Sequence, residues 1–243
     1  MSDWNERWQL LRKGNSDAAT NLMRTAYEAK RSTSRAIELA VLLMWQESYR
    51  PASTHMAEFI ERFPEQTTIA FGIAGTAQWC SEDRLTAAQT WKKGLSCSFV
   101  DAAGGAELPL LLYFAAVLGV NLESIEEAEC RLRNVASNPQ AENWPGPLVQ
   151  LVLGRLNRDT VEEFAVWKDP SNEETRLNLL KVAFWDGVLS LREGDQVEFI
   201  RAMSYHADLS WVDFDANPEF FIDRIWCPEF SLARHHAPPN AFH

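Results

Sequence analysis

The chain has 243 residues, of which 46% are hydrophobic and 23% are charged, and this composition is typical of a globular protein rather than a disordered one. A net charge of −11 argues against a nucleic-acid-binding or anionic-membrane surface, because both interactions require a basic patch. The N-terminus lacks an apolar signal region and no window approaches the roughly 18 apolar residues of a membrane span, so we expect a cytoplasmic protein.

The four cysteines are widely spaced and form neither a CxxC pair nor a dense framework. We therefore expect free thiols in a reducing compartment at Cys80, Cys97, Cys130 and Cys227.

The first two helices are predicted near the N-terminus, on either side of Gly14. Leu10 and Leu11 precede this glycine, and one apolar stripe follows it at Ala19, Met23 and Ala26.

A clearer pair of helices is predicted between Ser34 and Pro64. The apolar positions of its first helix follow i, i+3, i+4, i+7 spacing, at Ala36, Leu39, Ala40 and Leu43. Pro51 can open the second helix at its first position, and that helix presents Ala52, Met56 and Phe59 inward.

The same pattern recurs twice further along the chain. One pair reads Phe71, Ala74 and Gly75, then Ala87, Trp91 and Gly94; the next reads Leu112, Ala115 and Ala116, then Ala128, Leu132 and Val135. A single helix pair cannot bury its apolar face alone, so the pairs are expected to stack on one another.

The fifth pair is expected to begin at the stretch WPGPLVQLVLGR, residues 144–155. Pro147 suits the first position of a helix, where its missing N–H is not needed, and Gln150, Leu153 and Gly154 then occupy helical positions. A short buried strand is the alternative, since periodicity cannot separate the two for so short a run.

These spacings resemble the tetratricopeptide repeat, and the unit from Ala36 to Pro64 fits that pattern at each of its positions, with Ala36 in the usual place of Trp. A late unit, AFWDGVLSLREGDQVEFIRAM, has Gly187 and Gly194 seven residues apart as in the family, but Phe199 and His206 stand where small residues are usual. The resemblance covers about residues 4–209. It implies an all-α, right-handed superhelical solenoid of about five to six degenerate antiparallel helix pairs.

The C-terminal part departs from this pattern. Residues 210–232 are dense in aromatic and acidic side chains, and Asn217-Pro218 can start a short helix. We predict that this segment caps the open end of the solenoid, with docking of a partner as the alternative. The repeat domain then covers residues 1–232, and residues 233–243 form a flexible tail.

No motif of an enzyme or a metal site is found. The sequence has no G-x-S-x-G or S-x-x-K motif, and Gly104-Gly105 lies in a loop without the Lys and Ser/Thr of a phosphate-binding loop. His235, His236 and Cys227 match no zinc spacing, although a metal-dependent enzyme built on them is the alternative of another class. The expectation is a protein without catalytic activity, metal or cofactor.

In the tetratricopeptide family, the first helix of each unit lines a concave groove that binds protein segments. The resemblance therefore implies a partner-binding groove lined by Ile37, Val41, Met44, Trp45, Ile69, Thr76, Trp79, Tyr113, Val117, Asn121, Lys181, Phe184 and Arg192. The family's repeated Lys, Asn and Arg clamp for peptide carboxylates is absent. Trp45 and Trp79 are either anchors for a partner, or parts of the core, or covered by the aromatic C-terminal segment folding back. So apolar a groove should be covered by something.

The expected function is protein–protein interaction, because neither a catalytic motif nor a basic surface is present. The sharper hypothesis is a bacterial immunity or adaptor protein that masks a toxin or effector, since an acidic surface attracts a basic partner domain. An assembly factor or co-chaperone for a secretion or envelope complex is the alternative. The sequence does not specify the oligomeric state.

Overall fold

A computed structural model describes residues 9–10, 13–63, 67–98, 100–166, 173–207 and 228–237. Within these ranges the chain is all α-helical, with twelve α-helices, one short 3-10 turn and no strand. The first six helices are α1 Ser16–Ala29, α2 Thr33–Trp45, α3 Tyr49–Arg62, α4 Thr68–Cys80, α5 Arg84–Gly94 and α6 Glu107–Val117. The others are α7 Ile125–Ala136, α8 Gly146–Val152, α9 Arg158–Ala165, α10 Glu173–Arg192, α11 Gln196–Ala207 and α12 Pro228–His236.

Local signals in the sequence set many of the helix starts. A polar side chain at the N-cap accepts a hydrogen bond from a backbone N–H of the first turn in six helices, at Asn15, Ser32, Thr67, Asp83, Ser124 and Asn157. Ser124 and Glu127 form a reciprocal capping box at α7. These caps satisfy N–H groups that have no partner within the helix.

Consecutive helices pack as pairs, and each pair also contacts the next along the chain. The predicted pairs correspond to α2 with α3, α4 with α5, α6 with α7, α8 with α9 and α10 with α11. The predicted helical arrangement is therefore confirmed as an all-α fold of stacked helix pairs.

The small residues of the predicted pattern lie where helices approach most closely. The four alanines that mark the second helices, Ala19, Ala52, Ala87 and Ala128, are all fully buried. A Cβ atom at Gly75 would lie 2.3 Å from Nε1 of Trp91, and one at Gly187 would lie 2.4 Å from Cβ of Ala202. Glycine is required at these two positions because no side chain fits between the helices.

The segment WPGPLVQLVLGR contains a helix, as predicted, but a shorter one. Helix α8 begins at Gly146, one residue before the expected Pro147, and ends at Val152. Leu153 is its C-cap and Gly154 has a φ of +67°, so neither extends the helix. The left-handed backbone at Gly154 terminates α8 after only two turns.

Two other predicted boundaries differ from the structure. Helix α3 begins at Tyr49, so Pro51 lies in its first turn but not at its first position. Helix α12 runs to His236, whereas the sequence placed the start of a tail at residue 233. The helix continues because its last residues pack against other helices. Residues 208–227, which hold most of the predicted cap, and residues 238–243 lie outside the described ranges.

A groove occupied by the C-terminal helix

Helix α12 packs against α10 and α11, which precede it in the chain, and also against the distant α4. Its residues 228–233 are all buried, and Leu232 and Ala233 belong to the larger of two apolar clusters in the core. The surface beneath it is called the α12 groove below. Side chains from α2, α4, α6, α10 and α11 line it: Trp45, Trp79, Cys80, Phe114, Lys181, Trp185 and Phe199.

The first turn of α12 inserts a carboxylate into the groove. Glu229 is only 4% exposed, and its Oε1 accepts a hydrogen bond of 3.1 Å from Nε1 of Trp185. Its Oε2 lies 3.9 Å from Nζ of Lys181. A buried charge is tolerated only when it is paired and hydrogen-bonded, so this end of the groove is a binding site for a carboxylate.

A second carboxyl group lies close to this pair. Burial raises the pKa of Glu107 to about 7, the Lys181 ammonium opposes the shift, and the charges of Glu229 and Asp101 add to it. Near neutral pH, Glu107 is therefore only partly ionised. Its protonation reduces the negative charge around the Lys181 ammonium.

The middle of α12 rests on an aromatic ring and a thiol. Phe230 stacks on Trp45 with ring centroids 5.8 Å apart. The Cys80 thiol donates to the carbonyl oxygen of Ser231 at 3.6 Å. Burial raises the pKa of Cys80, so its sulfur is a protonated and unreactive thiol while α12 covers it.

The last turn of α12 places His236 among aromatic rings. Its Nε2 accepts a hydrogen bond of 3.1 Å from Nε1 of Trp79, and the rings of Phe114 and Phe199 lie 5.8 and 6.0 Å away. Burial, with smaller contributions from His235 and Arg84, lowers the pKa of His236 to about 4. His236 is thus neutral near pH 7, and its Nε2 is the acceptor.

Two acidic residues pair with the remaining polar side chains of this turn. Arg234 forms an ion pair with Glu47, and Nε2 of His235 lies 3.2 Å from Oε1 of Glu82. Glu47 follows α2 and Glu82 follows α4, so successive helix pairs each present a tryptophan and then a carboxylate to α12. This end of the groove is suited to cations.

The predicted groove residues are distributed between the interior and the surface. Six are at most 5% exposed: Val41, Met44, Thr76, Trp79, Tyr113 and Phe184. Four are half-buried: Ile37, Trp45, Val117 and Lys181. Three are exposed: Ile69, Asn121 and Arg192, the last of which pairs with Glu129.

Only part of the predicted set meets in one place. Trp45, Trp79 and Lys181 contact α12. Trp79 is fully buried, stacked on Trp91 and next to Phe114, so it belongs to the core as well as to the groove. Trp45 is covered by Phe230, so the apolar groove that the sequence indicated should be covered is filled, at this position, by the chain's own helix.

Sequence reasoning did not identify the charged partners of α12. Glu47, Glu82 and Glu229 are three among 34 acidic residues, and no local pattern distinguishes them. The one available signal was indirect, since an apolar groove in a monomer requires a cover and the C-terminal segment is rich in aromatics.

The histidines proposed as an alternative metal site face different partners. His235 lies against Glu82 and His236 against Trp79, while Cys227 is outside the described residues. No group of three His, Cys, Asp or Glu side chains suited to a metal ion occurs in the described part of the chain. His55 is half-buried, with Nε2 3.1 Å from the carbonyl oxygen of Ala36.

None of the described helices combines the length and apolar composition needed to cross a bilayer. No protein-family model matches the chain, and comparison with curated proteins and with solved structures finds no significant similarity.

Proposed function

We propose that this chain is a non-catalytic protein-binding module that receives a segment of a partner protein in the groove formed by the first helices of its helix pairs. One observation supports this above all: the groove binds a helix, α12, through a stacked aromatic pair and six charged or polar contacts. A surface that holds one amphipathic helix has the shape and polarity needed to hold another.

The finer architecture belongs to the same proposal. We propose that the stacked pairs form a tetratricopeptide-like solenoid, supported by the close approaches at Gly75 and Gly187 and by the four buried alanines of the second helices. In such a solenoid the first helices line one continuous surface. Ile69, which is 37% exposed near the start of α4, then lies beyond the part that α12 covers and is available to a partner.

The partner we propose is a basic protein domain, and the chain's role is that of a cytoplasmic immunity or adaptor protein that masks a toxin or effector. The net charge of −11 attracts a basic domain over distances of about one Debye length, roughly 8–10 Å at physiological salt. The ion pair of Arg234 with Glu47 is an example of how a basic side chain is received.

Site-specific photo-crosslinking tests whether this groove binds a protein. A benzophenone amino acid replaces Ile69 on the groove side of α4, and in a matched control it replaces Phe164, which is 50% exposed on α9. In cells of the native source we expect one discrete adduct from position 69 and none from position 164. The protein identified by mass spectrometry must then bind the purified chain with one-to-one stoichiometry.

The outcomes separate the candidate functions. A basic partner whose toxicity is suppressed by co-expression of this chain supports the immunity role. A set of several weakly bound partners supports the assembly-factor role instead. Equal adducts from both positions, or none from position 69, contradict groove binding.

A further inference from the structure

The contact surface between α12 and its groove combines apolar packing with buried polar groups. Phe230, Leu232 and Ala233 are buried, as are the side chains between helix pairs, for example Trp91 against Gly75. Helix α12 also buries Glu229 and Ser231 and places Arg234 and His235 against carboxylates. Buried polar pairs contribute little net stability compared with apolar packing, but they discriminate strongly between partners.

The groove has two electrostatically different ends. Lys181 and the Trp185 N–H meet the first turn of α12, whereas Glu47 and Glu82 meet its last turn. A free helix favours the same arrangement, because acids stabilise its N-terminus and cations its C-terminus. The groove therefore matches a short helix in one direction only.

Helix α12 and the groove belong to the same chain, so the groove binds α12 in an intramolecular equilibrium. Such an equilibrium is equivalent to binding a ligand at a fixed effective concentration. A partner helix with the same contacting side chains displaces α12 when the partner's concentration exceeds this effective concentration.

We infer that the α12 groove is a recognition site for a partner helix of defined chemistry, and that α12 is a resident occupant which this partner replaces. The partner helix carries a carboxylate in its first turn, an aromatic residue directly after it, and an arginine followed by histidine in its last turn. This inference rests on the proposed function, because it specifies the segment that the groove receives.

The buried thiol of Cys80 reports whether α12 leaves the groove. Cys80 is 7% exposed and faces Ser231, whereas Cys130 is exposed and Cys97 is buried away from the groove. Alkylation followed by peptide mass spectrometry reads each cysteine separately. Cys130 then serves as the fast reference, and Cys97 reports unfolding of the whole chain.

An Arg234→Glu substitution places a third carboxylate beside Glu47 and Glu82 without altering the groove. We expect Cys80 to be alkylated at least about tenfold faster in this variant, with Cys97 unchanged. Arg133→Glu, the same charge reversal on the exposed face of α7, is the matched control and should leave Cys80 protected. Adding Glu47→Arg to Arg234→Glu restores the opposite charges and should restore protection.

Binding in trans tests the chemistry of the partner. A fluorescent peptide of residues 228–237, PEFSLARHHA, is titrated into the Arg234→Glu chain and into the wild-type chain, up to about 1 mM. We expect saturable binding to the variant, renewed protection of Cys80, and at least about tenfold weaker binding to the wild type, whose groove is occupied. The same peptide with Arg234→Glu should not bind.

Three results would overturn the inference. Cys80 protection unchanged in Arg234→Glu would mean that α12 is a fixed part of the core. Failure of the peptide to bind a chain whose Cys80 is exposed would remove the recognition site. A concentration-dependent dimer of the wild type that exchanges α12 between copies would make a second copy the occupant. The photo-crosslinking experiment tests the proposed function separately. A groove that binds this peptide can lack a cellular partner, and a groove that crosslinks to a cellular partner can fail to bind this peptide.

Discussion

Trp79 and His236 are 157 positions apart in the sequence, yet they share a hydrogen bond in the core. The indole N–H can only donate, so His236 must keep an unprotonated nitrogen towards it. Burial of the imidazole enforces this state by lowering its pKa to about 4. The packing of the last turn of α12 therefore depends on the protonation state of the His236 ring.

The sign of the resulting pH dependence follows from the lowered pKa. Because the folded chain binds fewer protons at His236 than the unfolded chain does, its contribution is complete above pH 6.5 and is lost as the pH falls towards about 4. We expect the free energy of unfolding to fall over this range, and to fall less steeply in His236→Gln. Urea denaturation of both chains between pH 7.5 and 4.5 measures the two slopes. Burial also lowers the pKa of His55 and His235, whereas the raised pKa of Glu107, about 7, gives a slope of the opposite sign. These groups are present in both chains, so the difference between the two slopes reports His236, and parallel curves would contradict the assignment.

Gly75 is a second residue at which one atom decides the packing. An added Cβ would lie 2.3 Å from Nε1 of Trp91, whose N–H donates to the carbonyl oxygen of Gly72. We expect Gly75→Ala to lower the free energy of unfolding by about 1–3 kcal/mol, because the ring must move within a filled core. Gln89→Ala on the exposed face of α5 is the control, with an expected change within about 0.5 kcal/mol. Equal urea midpoints for the two variants would contradict the close approach.

At the scale of elements, α6 shows how a loop can replace a missing N-cap. Ala106 precedes α6 and offers no side-chain acceptor, but the Asp101 carboxylate accepts hydrogen bonds from the N–H groups of Ala103, Gly105 and Glu107 at 2.8–3.0 Å. Gly104 and Gly105 have φ values of +77° and +99°, which bring these N–H groups around one side chain. Gly104 and Gly105 therefore belong to a turn that precedes α6 and holds its first N–H groups against Asp101.

We expect Asp101→Ala to destabilise the chain by about 3 kcal/mol, since three hydrogen bonds to a charged group are lost together. Asp101→Asn retains one acceptor oxygen and should have an intermediate effect. Thermal or urea unfolding measures both, with Asp159→Ala, an exposed acid in the first turn of α9, as the charge-matched control. A change no larger than that of the control would show that Asp101 does not hold the start of α6.

At the scale of the whole molecule, α12 connects parts of the fold that the stacking of pairs leaves apart. In a stack of repeats each unit contacts only its neighbours, so cooperativity decays along the chain. Helix α12 contacts α4 as well as α10 and α11. It therefore joins the pair α4–α5 to the last pair, α10–α11. We infer that it contributes to the cooperativity of unfolding as well as to stability.

Two substitutions of the same kind separate these effects. Leu232 in α12 and Leu132 in α7 are both fully buried, and each Leu→Ala change should cost about 2–5 kcal/mol. We expect Leu232→Ala to lower the urea m-value as well as the midpoint, because the two ends of the stack then unfold less cooperatively. Leu132→Ala should lower the midpoint alone. Identical m-values in the two variants would contradict the coupling role of α12.

The sequence by itself determined the helices, their pairing and most of the residues that pack between them. Apolar residues spaced three and four apart form one face of a helix, which is a local property of the sequence. Small residues at fixed positions allow two consecutive helices to pack closely, and this also depends only on nearby residues. Helix ends were less certain, as α3 and α8 show, because one backbone angle such as that of Gly154 can end a helix.

Only the tertiary structure decided what occupies the groove. The contacts of Glu229 with Lys181 and Trp185, of Arg234 with Glu47 and of His236 with Trp79 join residues far apart in the chain. No periodicity encodes such pairs, because each depends on the shape of a surface that exists only after the helix pairs have stacked. Three residues predicted to bind a partner, Trp45, Trp79 and Lys181, contact α12, a helix of the chain itself, and their role towards a partner stays a prediction.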